Sequence, residues 1–71
     1  MRRFGEKLRV IRTRHGMSLR QLADVLGFNS HGYVGDLESG RKKPSLEVAL
    51  KIARLFDVSV DSLVKDEMEV D

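Results

Sequence analysis

With 71 residues the chain fits a single domain. It has no cysteine and only two histidines, His15 and His31, which excludes a disulfide framework, a cysteine zinc site and a histidine metal cage. The net charge is only +2, but residues 1–20 hold seven Arg or Lys against one acid, Glu6, while residues 60–71 hold five acids and one lysine. Such asymmetry is compatible with a polyanionic partner and equally with an ordinary solvated surface. No apolar run is long enough to span a membrane. The opening MRRFGEKLRV has paired arginines without the apolar segment of a signal peptide, so the reading is a cytoplasmic protein with no membrane contact.

In chain order, Phe4, Leu8 and Ile11 mark one face of a helix over residues 3–15, with most arginines on the other face. Gly16 stops it. Ser18 opens a second helix and forms a capping-box pattern with Gln21. Leu19, Leu22, Ala23 and Leu26 follow at helical spacing, and Gly27 closes the element. A third helix is predicted from about Ser30 to Gly40, with Tyr33, Val34 and Leu37 apolar. GRKKP (40–44) reads as a loop and Ser45 as the next N-cap. Leu46, Ala49, Leu50, Ala53 and Phe56 are predicted as the buried stripe of the fourth helix, which Asp57 ends. Ser59 caps a last short helix with Val60, Leu63 and Val64 inward. The acidic tail KDEMEVD reads as frayed, leaving a core of about residues 4–64. The expected fold class is all-α, a bundle of five short helices.

Helices two and three carry the functional signal. A small residue, Ala23, lets a second helix cross closely. Gly27, four residues on, permits a positive φ in the turn. Val34 and Leu37 then pin the third helix onto the second, which is the logic of a helix-turn-helix. Gly32 and Gly35 sit in that third helix although each costs about 1 kcal/mol relative to alanine. They serve either a close approach of the backbone to a partner or nothing beyond a relaxed helix.

The run MSLRQLADVLGF…YVGDLESGRKKPSLEVALKIARLFDVSVDSLV resembles the Cro and phage-repressor (Xre-like, lambda repressor-like) helix-turn-helix domains, and the likeness extends from about Phe4 to Val64. It implies a bacterial or phage DNA-binding domain of five helices whose third helix enters the major groove. From the turn glycine to the residue aligned with Val34 there are seven positions here against the family's usual six. The added residue falls within FNSHG and implies a longer turn. The family's phosphate-touching glutamine near the head of helix two is replaced by Leu19, so that contact is not carried over.

The shifted alignment puts His31, Gly32 and Asp36 at base-reading positions and Gly35 at the groove or its rim. Asp36 could accept from cytosine N4, but pairing with a nearby arginine is the favoured reading. Asn29 and Ser30 are turn and cap residues that can also hold a phosphate. Ser18 and Arg20, at the head of the second helix, are counted with the interface. Arg41, Lys42 and Lys43 follow the third helix directly and imply phosphate contacts. The resemblance also implies a structural ion pair of Glu38 with Arg12, and Tyr33 reads as edge packing.

The leading function is therefore sequence-specific binding of double-stranded DNA by a transcriptional repressor acting as a homodimer on a palindromic operator. The fifth helix or its acidic tail is the expected dimer surface. The alternative is a protein-interaction module, such as an antitoxin or partner-binding regulator. No catalytic triad, phosphate loop or metal-ligand spacing is present, so no enzyme and no cofactor are expected.

Overall fold

The computed structural model describes residues 2–70, which form α1 (Phe4–Arg14), α2 (Leu19–Leu26), α3 (His31–Ser39), α4 (Leu46–Phe56) and α5 (Val60–Val64). Four of these helices are opened by a serine in extended conformation. The Oγ atoms of Ser18, Ser30, Ser45 and Ser59 accept from the backbone N–H of Gln21, Gly32, Val48 and Ser62. Each cap satisfies a donor that the helix itself cannot, an effect of about 1 kcal/mol. At α2 the box is complete, since the Ser18 N–H also donates to Gln21 Oε1 at 2.8 Å. Gly27 (φ 80°) and Gly40 (φ 83°) end α2 and α3 in the left-handed region. Asp57 ends α4 there too, at φ 55°, a conformation that disfavours most side chains.

α3 packs against both α1 and α2, and α5 packs on α4 and α1. Their inward faces build one core around Leu8, Leu22, Val34, Leu37, Ile52 and Leu63, all of them 1% exposed or less. One expected core position is corrected. Leu46 is 71% exposed, and Ile52 takes its place in the stripe Ala49, Ile52, Ala53, Phe56. That set follows i, i+3, i+4, i+7, the full period of a half-buried helix. Leu46 lies in the first turn of α4, where nothing covers it, and Leu50 is only half-buried.

α1 approaches α3 closely at Gly5. A Cβ there would lie 2.3 Å from the Glu38 carbonyl oxygen and 2.6 Å from that of Leu37. Only glycine lets the two backbones come so near.

The tail is the second correction, because residues 65–70 fold back along α1 instead of fraying; Asp71 lies outside the described residues. Arg3 donates from its backbone N–H to Asp66 Oδ1 at 2.9 Å. Its guanidinium grips both oxygens of Glu69, at 2.8 and 3.0 Å. Lys7, itself buried, donates from Nζ to the carbonyls of Ser62 and Lys65 at the end of α5, where a cation also suits the helix dipole. Arg14 Nη1 donates to the Val70 carbonyl, and the Val70 side chain is 5% exposed.

The clasp has a sign in pH. The Arg3 backbone N–H holds the Asp66 carboxyl below its usual range, and the Arg3 guanidinium does the same for Glu69. A depressed carboxylate contributes in full above its unfolded value, and the contribution is lost as pH falls through the native value. The tail should therefore loosen only below about pH 4, where free carboxyls titrate. Hydrogen exchange of residues 65–70 against pH measures it. Glu69→Gln should flatten that acid dependence, and an unchanged profile would show that the Arg3 contact contributes nothing.

Candidate nucleic-acid interface

α3 has two faces of different character. Val34, Leu37 and Glu38 are buried against the body of the protein. Gly32 and Ser39 are exposed on the other side, and Gly35 and Asp36 are half-buried. The outer face is thus low, built of two glycines, a serine and an aspartate. Around it stand the exposed head of α2 (Ser18, Arg20), the exposed turn and start of α3 (Asn29, Ser30, His31), and the exposed basic loop Arg41–Lys43. The predicted interface residues therefore fall on α2, α3 and the two segments that flank α3.

The inner face fixes how α3 sits. Glu38, its side chain 1% exposed, accepts from Arg12 Nε at 2.5 Å and Arg12 Nη2 at 3.0 Å. The same guanidinium donates from Nη1 to the Met17 carbonyl at 2.8 Å. One side chain thereby joins α1, α3 and the α1–α2 link. Hydrogen bonding to Glu38 raises the Arg12 pKa, so Arg12 stays charged at every accessible pH. The expected ion pair is present, with a member that sequence reasoning missed, since Arg9 Nε also reaches Glu38 Oε1 at 3.2 Å. Its helical offset of three from Arg12 was the available signal.

The turn before α3 is anchored by aromatic side chains. Phe28 and Tyr33 meet edge to face with centroids 4.9 Å apart. Lys42 Nζ lies 5.7 Å from the Tyr33 ring and Lys51 Nζ 5.9 Å from the Phe28 ring, both within cation–π range. Tyr33 is therefore an edge-packing residue, as expected. Phe28 is a structural anchor that its place in a loop concealed. Three residues, Phe28–Ser30, separate Gly27 from the first residue of α3.

Asp36 lies beneath the basic loop, 3.8 Å from Arg41 Nη1 and 4.0 Å from Lys42 Nζ. Its backbone carbonyl accepts from the Lys42 N–H and from Ser39 Oγ. This favours the pairing role over base reading. The pairs are loose and exposed, so each contributes less than about 1 kcal/mol.

The two glycines of α3 differ. A Cβ on Gly32 would come 3.2 Å from Ser30 Oγ and crowd the cap. A Cβ on Gly35 would touch only Leu19 Cδ1, at 3.9 Å. Half-buried Leu19 thus packs toward α3. No internal contact requires Gly35 to lack a side chain. The other histidine, His15, is occupied structurally, with Nδ1 on the Ile11 carbonyl at 2.9 Å and its ring 4.8 Å from that of Phe56. Among the described residues no three His, Asp or Glu side chains gather as a metal site.

This arrangement, a second helix crossed by a third with its outer face bare, defines a helix-turn-helix domain. A family model described as helix-turn-helix matches residues 8–63, and the chain belongs to that family. YonR, a prophage-derived HTH-type transcriptional regulator of Bacillus subtilis, is 40% identical over 62 residues, which are 87% of this chain and 56% of YonR. AnsR, an HTH-type transcriptional regulator of the same organism, is 38% identical over 64 residues, covering 90% of this chain and 54% of AnsR. The chain thus spans about half the length of these curated relatives. Among solved structures, the restriction-modification controller protein C.AhdI of Aeromonas hydrophila aligns with a TM-score of 0.77 at 38% identity, over 86% of this chain and 91% of its own. The N-terminal DNA-binding domain of SinR from B. subtilis aligns with a TM-score of 0.83 at 27% identity, over 97% of this chain and 100% of its own.

Proposed function

We propose that the chain is the DNA-binding domain of a cytoplasmic transcriptional repressor that occupies a palindromic operator as a homodimer. α3 lies in the major groove. His31 and Gly32 approach base edges, and Gly35 approaches the groove rim. Ser18, Arg20, Asn29, Ser30 and Arg41–Lys43 hold the flanking phosphates, while Asp36 steadies the basic loop. A domain this small makes few base contacts, so two copies on half-sites about 34–36 Å apart supply specificity. The observation that carries the reading is the low outer face of α3 between an exposed capped helix head and an exposed basic loop. A backbone can lie close to the duplex there, with cations beside the phosphates.

Selection of bound sequences from random duplex DNA at fixed salt tests this. Enrichment of a two-fold-symmetric sequence, bound in a salt-dependent way, is the expected result. Absence of salt-dependent binding to any duplex would favour the protein-interaction module instead. Leu19 against Gly35 is the feature that favours that second reading, because it replaces a phosphate ligand by an apolar contact.

Gly35→Ala separates close approach from mere tolerance. The methyl meets Leu19 at ordinary contact distance, and alanine is the better helix former, so the domain should gain up to about 1 kcal/mol. If α3 comes close to DNA at this point, operator affinity falls while the melting temperature rises. A variant both more stable and equally tight on the operator would mean that Gly35 is only tolerated.

A further inference from the structure

Between the start of α1 and the α3–α4 loop lies a cleft of about 280 Å³, lined by Arg2, Phe4, Gly5, Leu37, Gly40, Lys42, Lys43 and Pro44. Three of these are exposed cations, Arg2, Lys42 and Lys43. Among the described residues no carboxylate lines it. Lys42 is loosely paired with Asp36. Arg2 and Lys43 form no side-chain ion pair among the described residues.

We propose that this cleft binds a backbone phosphate of the DNA, with Arg2 as a ligand from outside the helix-turn-helix. The inference rests on the DNA-binding reading above and extends the phosphate track from the basic loop across to α1. Three considerations lead to it. The cleft adjoins the loop that follows α3, so it lies on the flank where the duplex backbone would run. Arg2 sits beside a tied-down stretch of chain, since the N–H of the next residue, Arg3, donates to Asp66 Oδ1 at 2.9 Å. Its guanidinium, with five donors in a planar fork, suits a phosphate better than an ammonium does. Asp66 and Glu69 of the acidic tail are not the occupants, since both are engaged with Arg3.

The test measures affinity for one duplex, the tightest sequence from the random pool, across a range of salt. The proteins are wild type, Arg2→Ala, Arg2→Lys and Lys43→Ala, each with its melting temperature. Arg2→Ala and Lys43→Ala should each lower the slope of log affinity against log salt by about 0.9. Each should bind about eightfold more weakly at 0.1 M salt, as that slope implies. Sequence preference and melting temperature should hold, because phosphate contacts position rather than specify. Arg2→Lys should keep most of the slope. An unchanged slope for Arg2→Ala, with a lowered one for Lys43→Ala, overturns the role of Arg2. A lowered slope for Arg2→Ala alone overturns the shared cleft. A slope lost equally in Arg2→Lys and Arg2→Ala, with a lowered melting temperature, assigns Arg2 to folding and overturns the inference as well. A wild type without salt-dependent duplex binding defeats the proposed function, and this inference with it.

Discussion

Gly5→Ala should lower stability by about 3 kcal/mol, near the upper end for overpacking. The added methyl would sit 2.3 Å from the Glu38 carbonyl oxygen, 2.6 Å from that of Leu37 and 2.8 Å from the Glu38 carbonyl carbon. All three are backbone atoms of α3, so no side chain can swing away and α1 must shift as a whole. A domain of this size is stabilised by roughly 4–10 kcal/mol in total. The melting temperature should therefore fall by about 12–24 °C, at 4–8 °C per kcal/mol. The same chemical change at Gly35 has the opposite sign, because it meets only the far end of Leu19. A Gly5→Ala variant melting within about 2 °C of wild type would mean that α1 slides over α3 freely and that the close approach carries no constraint.

Glu38→Gln should cost about 3–5 kcal/mol, the usual penalty for breaking a buried pair by removing one partner. The amide keeps the shape but leaves the Arg12 guanidinium, with a side chain 14% exposed, facing no anion. Arg9 should lose little, since its side chain is 62% exposed and can return to water. The coupling is separable. Arg12→Met combined with Glu38→Leu should be markedly more stable than the sum of the single losses predicts, because an apolar pair leaves no charge stranded. Operator preference should stay the same for any variant that remains folded. If Glu38→Gln melts like wild type yet selects a different operator sequence, then Glu38 reads DNA and the ion pair is incidental.

The parts of the fold that were legible in the sequence are the ones governed by neighbours in the chain. Ser18, Ser30, Ser45 and Ser59 cap helices as expected, because a cap is completed within three residues. Gly27 and Gly40 end helices for the same local reason. The Arg12–Glu38 pair, 26 residues apart, came from the resemblance and not from spacing. Long-range partners left little trace. The tail read as frayed because KDEMEVD is acidic, yet its partners are Arg3, Lys7 and Arg14, as much as 66 residues away. Gly5 stands next to Phe4 on the apolar stripe of α1. A glycine on such a stripe signals a close crossing, but the element it meets cannot be read from α1 alone. Leu46 and Ile52 were exchanged because apolar character does not reveal where cover ends. Of the interface, the exposure of the turn, the α3 start and the basic loop was legible. The support behind it, Phe28 on Tyr33 and Leu19 on Gly35, was not, since each is an apolar contact whose sequence signal matches ordinary core packing.

The folded tail also changes the charge map that an approaching polyanion meets. Of the seven cations in the first twenty residues, Arg3, Lys7, Arg9, Arg12 and Arg14 all donate to oxygens of their own chain. Asp66 and Glu69 lie against Arg3. In the basic segment conspicuous in the sequence, carboxylates therefore offset Arg3, Arg9 and Arg12, while Lys7 and Arg14 are turned toward backbone carbonyls. Arg2, Arg20 and Lys43 have no such partner among the described residues, and Arg41 and Lys42 are only loosely paired with Asp36. With a net charge of only +2, long-range attraction accelerates encounter little, because steering grows with the field and falls within a Debye length. What the uneven distribution provides is a torque. At low salt the molecule turns the cations around the basic loop, Arg2, Lys42 and Lys43, toward the polyanion before contact, and fewer collisions begin in the wrong orientation.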